Sequence, residues 1–328
     1  MINISNKKFD FAMEQNLSLS KLLKEKNTWL DLSRLQSECR KIDKGLARIV
    51  CGNLSQLTTY DMLMSVFFEC AMNKSDVERK KFIAVLHAID VLRVSYHLQQ
   101  RFESKKGVKI SDETIVNMCD LLNNKAKTDL LQLMPHDIVE EGISDIKKSR
   151  LKYNDFLNSL IQHPHEWTKK EWDYYISIYP DGVIIHFACI CLCQIANMTQ
   201  SEKSLVLEQL TTVANAQKEL FLSTMEILKW KDNLLQKKPS AFTSLVNAKF
   251  AGNVQFEDIV RFVYECDFLI GLEDRIRNCS SVIEEVLVKK WGANSGVVNL
   301  ILVPGQAALN NISGMRSALL EMDEVPLV

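Results

Sequence analysis

Turn-forming residues are scarce in this sequence. Eleven glycines and six prolines in 328 residues are less than half the usual share of about 12%. Sandwiches, barrels and α/β repeats need frequent tight turns, and this chain has few residues to build them. Long helices need turn formers only at their ends. With 47% hydrophobic and 25% charged residues, the composition is that of an ordinary globular chain, long enough to bury a sizeable core. The expected fold class is all-α: one domain over residues 1–328, with roughly ten helices and a loosely ordered N-terminus over residues 1–16.

Forty basic and 41 acidic residues leave a net charge of −1. No global attraction to nucleic acid or to an anionic membrane follows from that balance. The first residues, Met1 to Lys8, hold no apolar signal-like run. The longest apolar stretch, Gly182 to Ile195, is too short to span a bilayer and includes His186 and Gln194. The nine cysteines stand mostly in apolar surroundings, as buried free thiols of a reducing compartment do. A cytoplasmic protein without a transmembrane segment is expected.

Apolar residues recur at helical spacing almost throughout. The pattern predicts helices over Leu17 to Cys51, Thr59 to Met72, Asp76 to Glu103 (capped by Ser75 or Asp76), Thr114 to Leu133 and Asp145 to Gln162. A loop at His163-Pro164-His165 follows. Lys169 to Asn197 continues the pattern with a break at Pro180-Asp181-Gly182, where proline and glycine interrupt a helix. Ser201 to Leu235, Phe256 to Trp291 and Gln306 to Glu321 complete the set. No internal repeat or low-complexity run divides the chain.

Most constellations that suggest chemistry have a plainer reading. Cys189, Cys191 and Cys193 lie two apart, which on a helix puts them on different faces, so they read as core rather than zinc ligands. His163, His165 and Glu166 lack a partner cluster and read as a solvated turn. Asn154, Asp155, Asn158 and Gln162 have the spacing of a magnesium triad of class I terpene cyclases but lack its terminal carboxylate, so they read as a solvated helix face. Glu265, Asp267, Glu273 and Asp274, with Arg261, Arg275 and Arg277, read as a mixed-charge surface. No phosphate-binding glycine loop, nucleophile elbow or H-E-x-x-H motif occurs.

One resemblance covers most of the chain, roughly Asp43 to Leu287, and is carried by the order of segments more than by sharp motifs. Lys44-Gly45-Leu46-Ala47-Arg48 resembles the Gly-Lys-x-x-Arg segment of trans-isoprenyl diphosphate synthases. Leu86 to Leu98 resembles the helix leading to that family's first Asp-rich motif. At the motif itself stand Gln99, Gln100 and Glu103, followed by Lys105-Lys106-Gly107 in place of Arg-Arg-Gly. Trp172 to Ala196 is similar to the helix holding Lys-Thr-Gly, with Pro180-Asp181-Gly182 in that place and the lysine missing. Ser201 to Leu228 is similar to the helix ending in the second Asp-rich motif, where Ser223, Thr224 and Glu226 now stand. Asp232 to Ser240, with Lys237 and Lys238, resembles the stretch after it, in the manner of the ComQ-like branch.

The resemblance implies an isoprenoid-synthase-like fold with both Asp-rich motifs degenerate. It also implies diphosphate binding by Lys44, Arg48, Lys105, Lys106, Lys237 and Lys238. In the family, facing aspartates hold Mg²⁺ ions that neutralise the diphosphate leaving group. Glutamine is neutral, and Mg²⁺ prefers carboxylate oxygens. At about a hundredfold per lost acid, two losses approach 10⁴ in rate.

Three readings stay open. The first is a non-catalytic or regulatory subunit of a prenyl diphosphate synthase in isoprenoid biosynthesis, working as a homodimer or as a heterodimer with an intact synthase. The second is an active, non-canonical prenyltransferase or terpene cyclase that uses Mg²⁺ held by Glu103 and Glu226. The third is a helical interaction protein with no prenyl ligand.

Overall fold

The computed structural model describes residues 32–55, 59–72, 78–103, 110–162, 169–235, 267–293 and 295–323. They form eleven α-helices and one π-helical turn, with no strand among the described residues. In chain order the helices are α1 (Leu32–Ile42), α2 (Lys44–Ser55), α3 (Thr59–Met72), α4 (Arg79–Glu103), α5 (Asp112–Leu133) and α6 (His136–Gln162). There follow α7 (Lys169–Ser177), α8 (Pro180–Ile195), α9 (Gln200–Leu235), α10 (Asp267–Glu284), the π-helical turn Glu285–Lys290, and α11 (Ser295–Asp323).

Local capping chemistry accounts for where the breaks fall. The helix expected from Leu17 to Cys51 is two helices in its described part, divided at Asp43. The Asp43 carboxylate accepts the Leu46 N–H at 2.7 Å, an N-cap that ends one helix and starts the next. Ser111 caps α5 by accepting the Thr114 N–H. The helix expected from Asp145 begins nine residues earlier, at His136, because the Pro135 carbonyl already accepts the Val139 N–H at 3.2 Å.

The break expected at Pro180-Asp181-Gly182 falls just before it. Pro180 is the first residue of α8, where its missing N–H costs nothing. Asn197, in the left-handed region with φ 49°, closes α8. Thr199 and Glu202 then form a reciprocal capping box at the start of α9: the Thr199 N–H donates to Glu202 Oε2 at 2.9 Å and the Glu202 N–H to Thr199 Oγ1 at 3.4 Å. The last helix starts at Ser295, not Gln306, and runs through Pro304. The cap expected at Ser75 or Asp76, the N-terminal residues 1–16, the loop at residues 163–165 and residues 256–266 lie outside the described residues.

Contacts divide the chain into two compact units. The first comprises Met1–Lys147, Val183–Thr211 and Trp291–Ile301, and the second Lys148–Gly182, Thr212–Lys290 and Leu302–Val328. Neither is a continuous stretch of sequence.

In the first unit α4 packs along α5 and against α2, and α1 packs on α2 and α5. Leu46, Phe67, Phe82, Ile89, Met118 and Leu122 are fully buried there. Ser95 and Cys119 bind α4 to α5 reciprocally: the Ser95 hydroxyl donates to the Cys119 carbonyl at 3.3 Å and the Cys119 thiol to the Ser95 carbonyl at 3.5 Å. On α8, Ile184, Phe187, Ala188, Cys191 and Leu192 are buried. A Cβ on Gly142 would fall on the Phe187 ring, so only glycine lets α6 approach that side chain.

In the second unit Leu220, Leu272, Ile276, Ile283 and Leu287 form the centre of the core. A Cβ on Gly305 would stand 2.7 Å from Leu220 Cδ1, so a residue without a side chain fits there against α9. Tyr153, Tyr175, Tyr179 and Phe221 form an aromatic chain. Ring centroids are 5.7 Å apart for Tyr153–Tyr175, 5.3 Å for Tyr153–Tyr179 and 5.9 Å for Tyr179–Phe221.

Candidate functional site

The residues singled out in the sequence fall in both units. In the first, Lys44 opens α2 and Arg48 follows one turn later, both exposed. Their four-residue spacing places both cations on one face of the helix. Gln99, Gln100 and Glu103 lie in the last turns of α4, and their side chains are outside the described ones. Lys105, Lys106, Lys237 and Lys238 are also outside the described residues.

In the second unit, Ser223 and Thr224 lie on α9 at 0% and 2% exposure. Neither hydroxyl has a hydrogen-bond partner among the described residues. The backbone of Glu226 is helical and its side chain is outside the described ones.

Two buried polar features have no counterpart in the sequence-derived site. The first lies on α4, the helix that ends at Gln99–Glu103. Asp90, 1% exposed, accepts from Arg93 Nε at 2.8 Å and from Nη2 at 2.7 Å. The Arg93 guanidinium lies 5.6 Å from the Tyr60 ring centroid, close enough for a cation–π contact. Burial, and secondarily the Asp90 charge, pushes the Tyr60 phenol well above its usual range, so this tyrosine stays neutral. The signal was present in Asp90-Val91-Leu92-Arg93: opposite charges three apart inside an apolar run must meet each other or water.

The second feature is on α9, where Gln217 and Lys218 are buried at 7% and 6% exposure. The Lys218 side chain lies against Gly182. Burial lowers the affinity of its amine for a proton, with Glu219 partly opposing. Glu219 itself accepts from Arg275 Nη1 at 2.6 Å, and Arg275 Nη2 lies 3.6 Å from Asp173. The late helix read as a mixed-charge surface therefore also sends one arginine across to two other helices. The second cluster was not visible in the sequence, because residues 182 and 218 share no local pattern.

The cysteines of α8 are buried. Burial holds Cys189 well above the usual thiol range and pushes Cys191 to about 12 and Cys193 to about 11, so all three stay protonated. Asn154, Asp155 and Asn158 are half-buried or exposed on α6, as a solvated face is. No group of three His, Cys, Asp or Glu side chains that could hold a metal occurs among the described residues. Ser223 and Thr224 offer neutral hydroxyls, so the described donors do not fit Mg²⁺, which wants carboxylates. Among the described residues no helix is long and apolar enough to cross a membrane.

No protein-family model and no curated protein sequence matches the chain. Solved structures do match. The geranylgeranyl pyrophosphate synthetase from the archaeon Geoglobus acetivorans is similar with a TM-score of 0.56 at 14% identity, over 92% of this chain and 98% of that one. The geranylgeranyl pyrophosphate synthetase from Pyrococcus horikoshii Ot3 has a TM-score of 0.49 at 12% identity, over 95% of this chain and 93% of that one. Identity this low speaks for fold alone. The Geoglobus match extends over nearly the whole chain, and the fold is all-α and isoprenoid-synthase-like.

Proposed function

We propose that this chain is a degenerate relative of the isoprenyl diphosphate synthases. It acts as a non-catalytic or regulatory subunit beside an intact prenyl diphosphate synthase, in the cytoplasm and as a dimer. The observation that carries this reading is the conjunction at α9. The chain shares its fold with a geranylgeranyl pyrophosphate synthetase over 92% of its length. Yet the positions that the sequence resemblance matches to the second Asp-rich motif hold Ser223 and Thr224, buried and uncharged, with Glu226 as the one acid left there.

Ionising an allylic diphosphate requires counter-charge for the leaving group. Two buried hydroxyls supply none. Lys44 and Arg48, exposed on one face of α2, are suited to pair with phosphate oxygens without metal. With Lys105, Lys106, Lys237 and Lys238 they are the cations this reading assigns to a prenyl diphosphate. Glu103 and Glu226 are the carboxylates left to collect a metal.

Co-expression with an intact prenyl diphosphate synthase of the same organism tests the reading. A stable complex with altered product chain length is the expected result. Failure to associate, together with no affinity for any prenyl diphosphate, would leave a helical interaction protein instead.

A further inference from the structure

We infer that the exposed face of α11 in the second unit is where two copies of this chain pack together across a twofold axis. The second unit takes in α11 from Leu302 onward. Val303, Ala307, Asn310 and Gly314 are exposed there, with Val303 at 55%. Steps of four, three and four residues keep them on one side of the helix. The seam repeats about every 3.5 residues, the period of two helices packed side by side.

This face is not built for water. From Ser295 to Met315 the sequence holds no Asp, Glu, Lys or Arg, in a chain that is 25% charged. The solvent side of a helix ordinarily carries charge, and the centres of interfaces are depleted of it. Gly314 points the same way. Glycine inside a helix is destabilising relative to alanine. Gly305 has its reason within the chain, because a Cβ there would run into Leu220, whereas a Cβ on Gly314 would meet nothing within 4 Å. The fold of one chain does not call for glycine at 314. A second backbone approaching along the seam would.

The chemistry of the face selects a second copy as its occupant. A twofold contact sets a patch against itself, so the patch has to complement itself. Amides donate and accept at once. Gln306 and Asn310 already show that pairing, with Gln306 Nε2 donating to Asn310 Oδ1 at 3.0 Å. Ala307 and Gly314 bring no like charges together and leave room for a close approach. A partner recognised through opposite charge would find none on this face to pair with.

The test is sedimentation equilibrium of the full-length chain over a range of concentrations, with circular dichroism to check that each variant is folded. Reversible association to a dimer is expected. Ala307→Glu and Ala307→Lys, both at an exposed position, should each weaken it at least about tenfold by setting like charges near the axis. Mixing the two variants in equal amounts should restore a dimer, which damaged chains would not do. Val116→Glu, at an exposed site of the first unit, should leave association unchanged.

An unaltered chain that stays monomeric overturns the inference. So does a dimer that tolerates both charges at position 307, and so does a failure of the mixed variants to pair. The interface stands apart from the prenyl reading. A dimer sensitive at position 307, with no affinity for prenyl diphosphates or for an intact synthase, keeps the interface and sinks that reading. A monomer that associates with an intact synthase does the reverse.

Discussion

Arg93 in the first unit and Lys218 in the second are both cations carried into the interior by long helices, and the molecule treats them differently. The Arg93 side chain is 13% exposed and closes on Asp90 one turn earlier, at 2.7 Å. Its charge is neutralised within its own helix and its flat face meets Tyr60. Lys218 is packed as deeply but lies against a glycine, and the carboxylate beside it is bound to Arg275. A buried charge with an internal partner holds the fold together. One whose proton affinity burial lowers, with only the neighbouring Glu219 charge opposing, is a cost to the fold.

The sharpest way to break this contrast is Asp90→Ala. It leaves a guanidinium in the interior without its carboxylate, and stability should fall by about 3–5 kcal/mol, read from urea unfolding. A loss under about 1 kcal/mol would mean the pair is solvated, as surface pairs are. Lys218→Met should move the other way. It should raise stability by about 1–2 kcal/mol, since methionine keeps most of the stem and removes the charge. If both substitutions destabilise equally, the two cations are alike and the comparison fails.

Packing changes come next. Gly142→Ala should cost about 1–3 kcal/mol, because the new methyl falls on the buried Phe187 ring. Thr199→Ala, which undoes the capping box of α9, should cost about 1 kcal/mol, read as a lower urea midpoint.

The smallest effect concerns His186, whose Nδ1 lies 3.2 Å from the Thr211 hydroxyl. Burial lowers its pKa below the ordinary 6.5, with Asp145 partly opposing. The unfolded chain therefore takes up a proton at higher pH than the folded one. Its contribution to stability is complete above pH 6.5 and is lost as pH falls from there through the lower folded value. His186→Gln should flatten the stability profile across that window. An unchanged slope would place the pH dependence elsewhere.

The helical class was legible because it rests on composition: eleven glycines and six prolines do not build a sheet protein of this length. Helix ends were less so, since periodicity marks where a helix runs and caps decide where it stops. Asp43 split an amphipathic run whose pattern continues across it. The last helix, expected from Gln306, begins at Ser295 and runs through Pro304, where Gly305 fits the chain closely against Leu220.

At the candidate site, Asp90 and Arg93 were readable as a pair, being one turn apart. Lys218 against Gly182 was not, because only the folded chain brings α8 and α9 together there. The burial of Ser223 and Thr224 was equally hidden, since small hydroxyl residues suit a core or a surface.

Turnover of labelled isopentenyl diphosphate with allylic diphosphates of increasing length, in Mg²⁺, tests the proposed role most directly. Both hydrocarbon and diphosphate products are analysed, with the chain alone and with an intact synthase present. No product from the chain alone, with changed product length when the intact synthase is added, is the expected result. Elongated or cyclised product from the chain alone, lost in a Glu103→Gln, Glu226→Gln double variant, would contradict it and show an enzyme with a rearranged metal site.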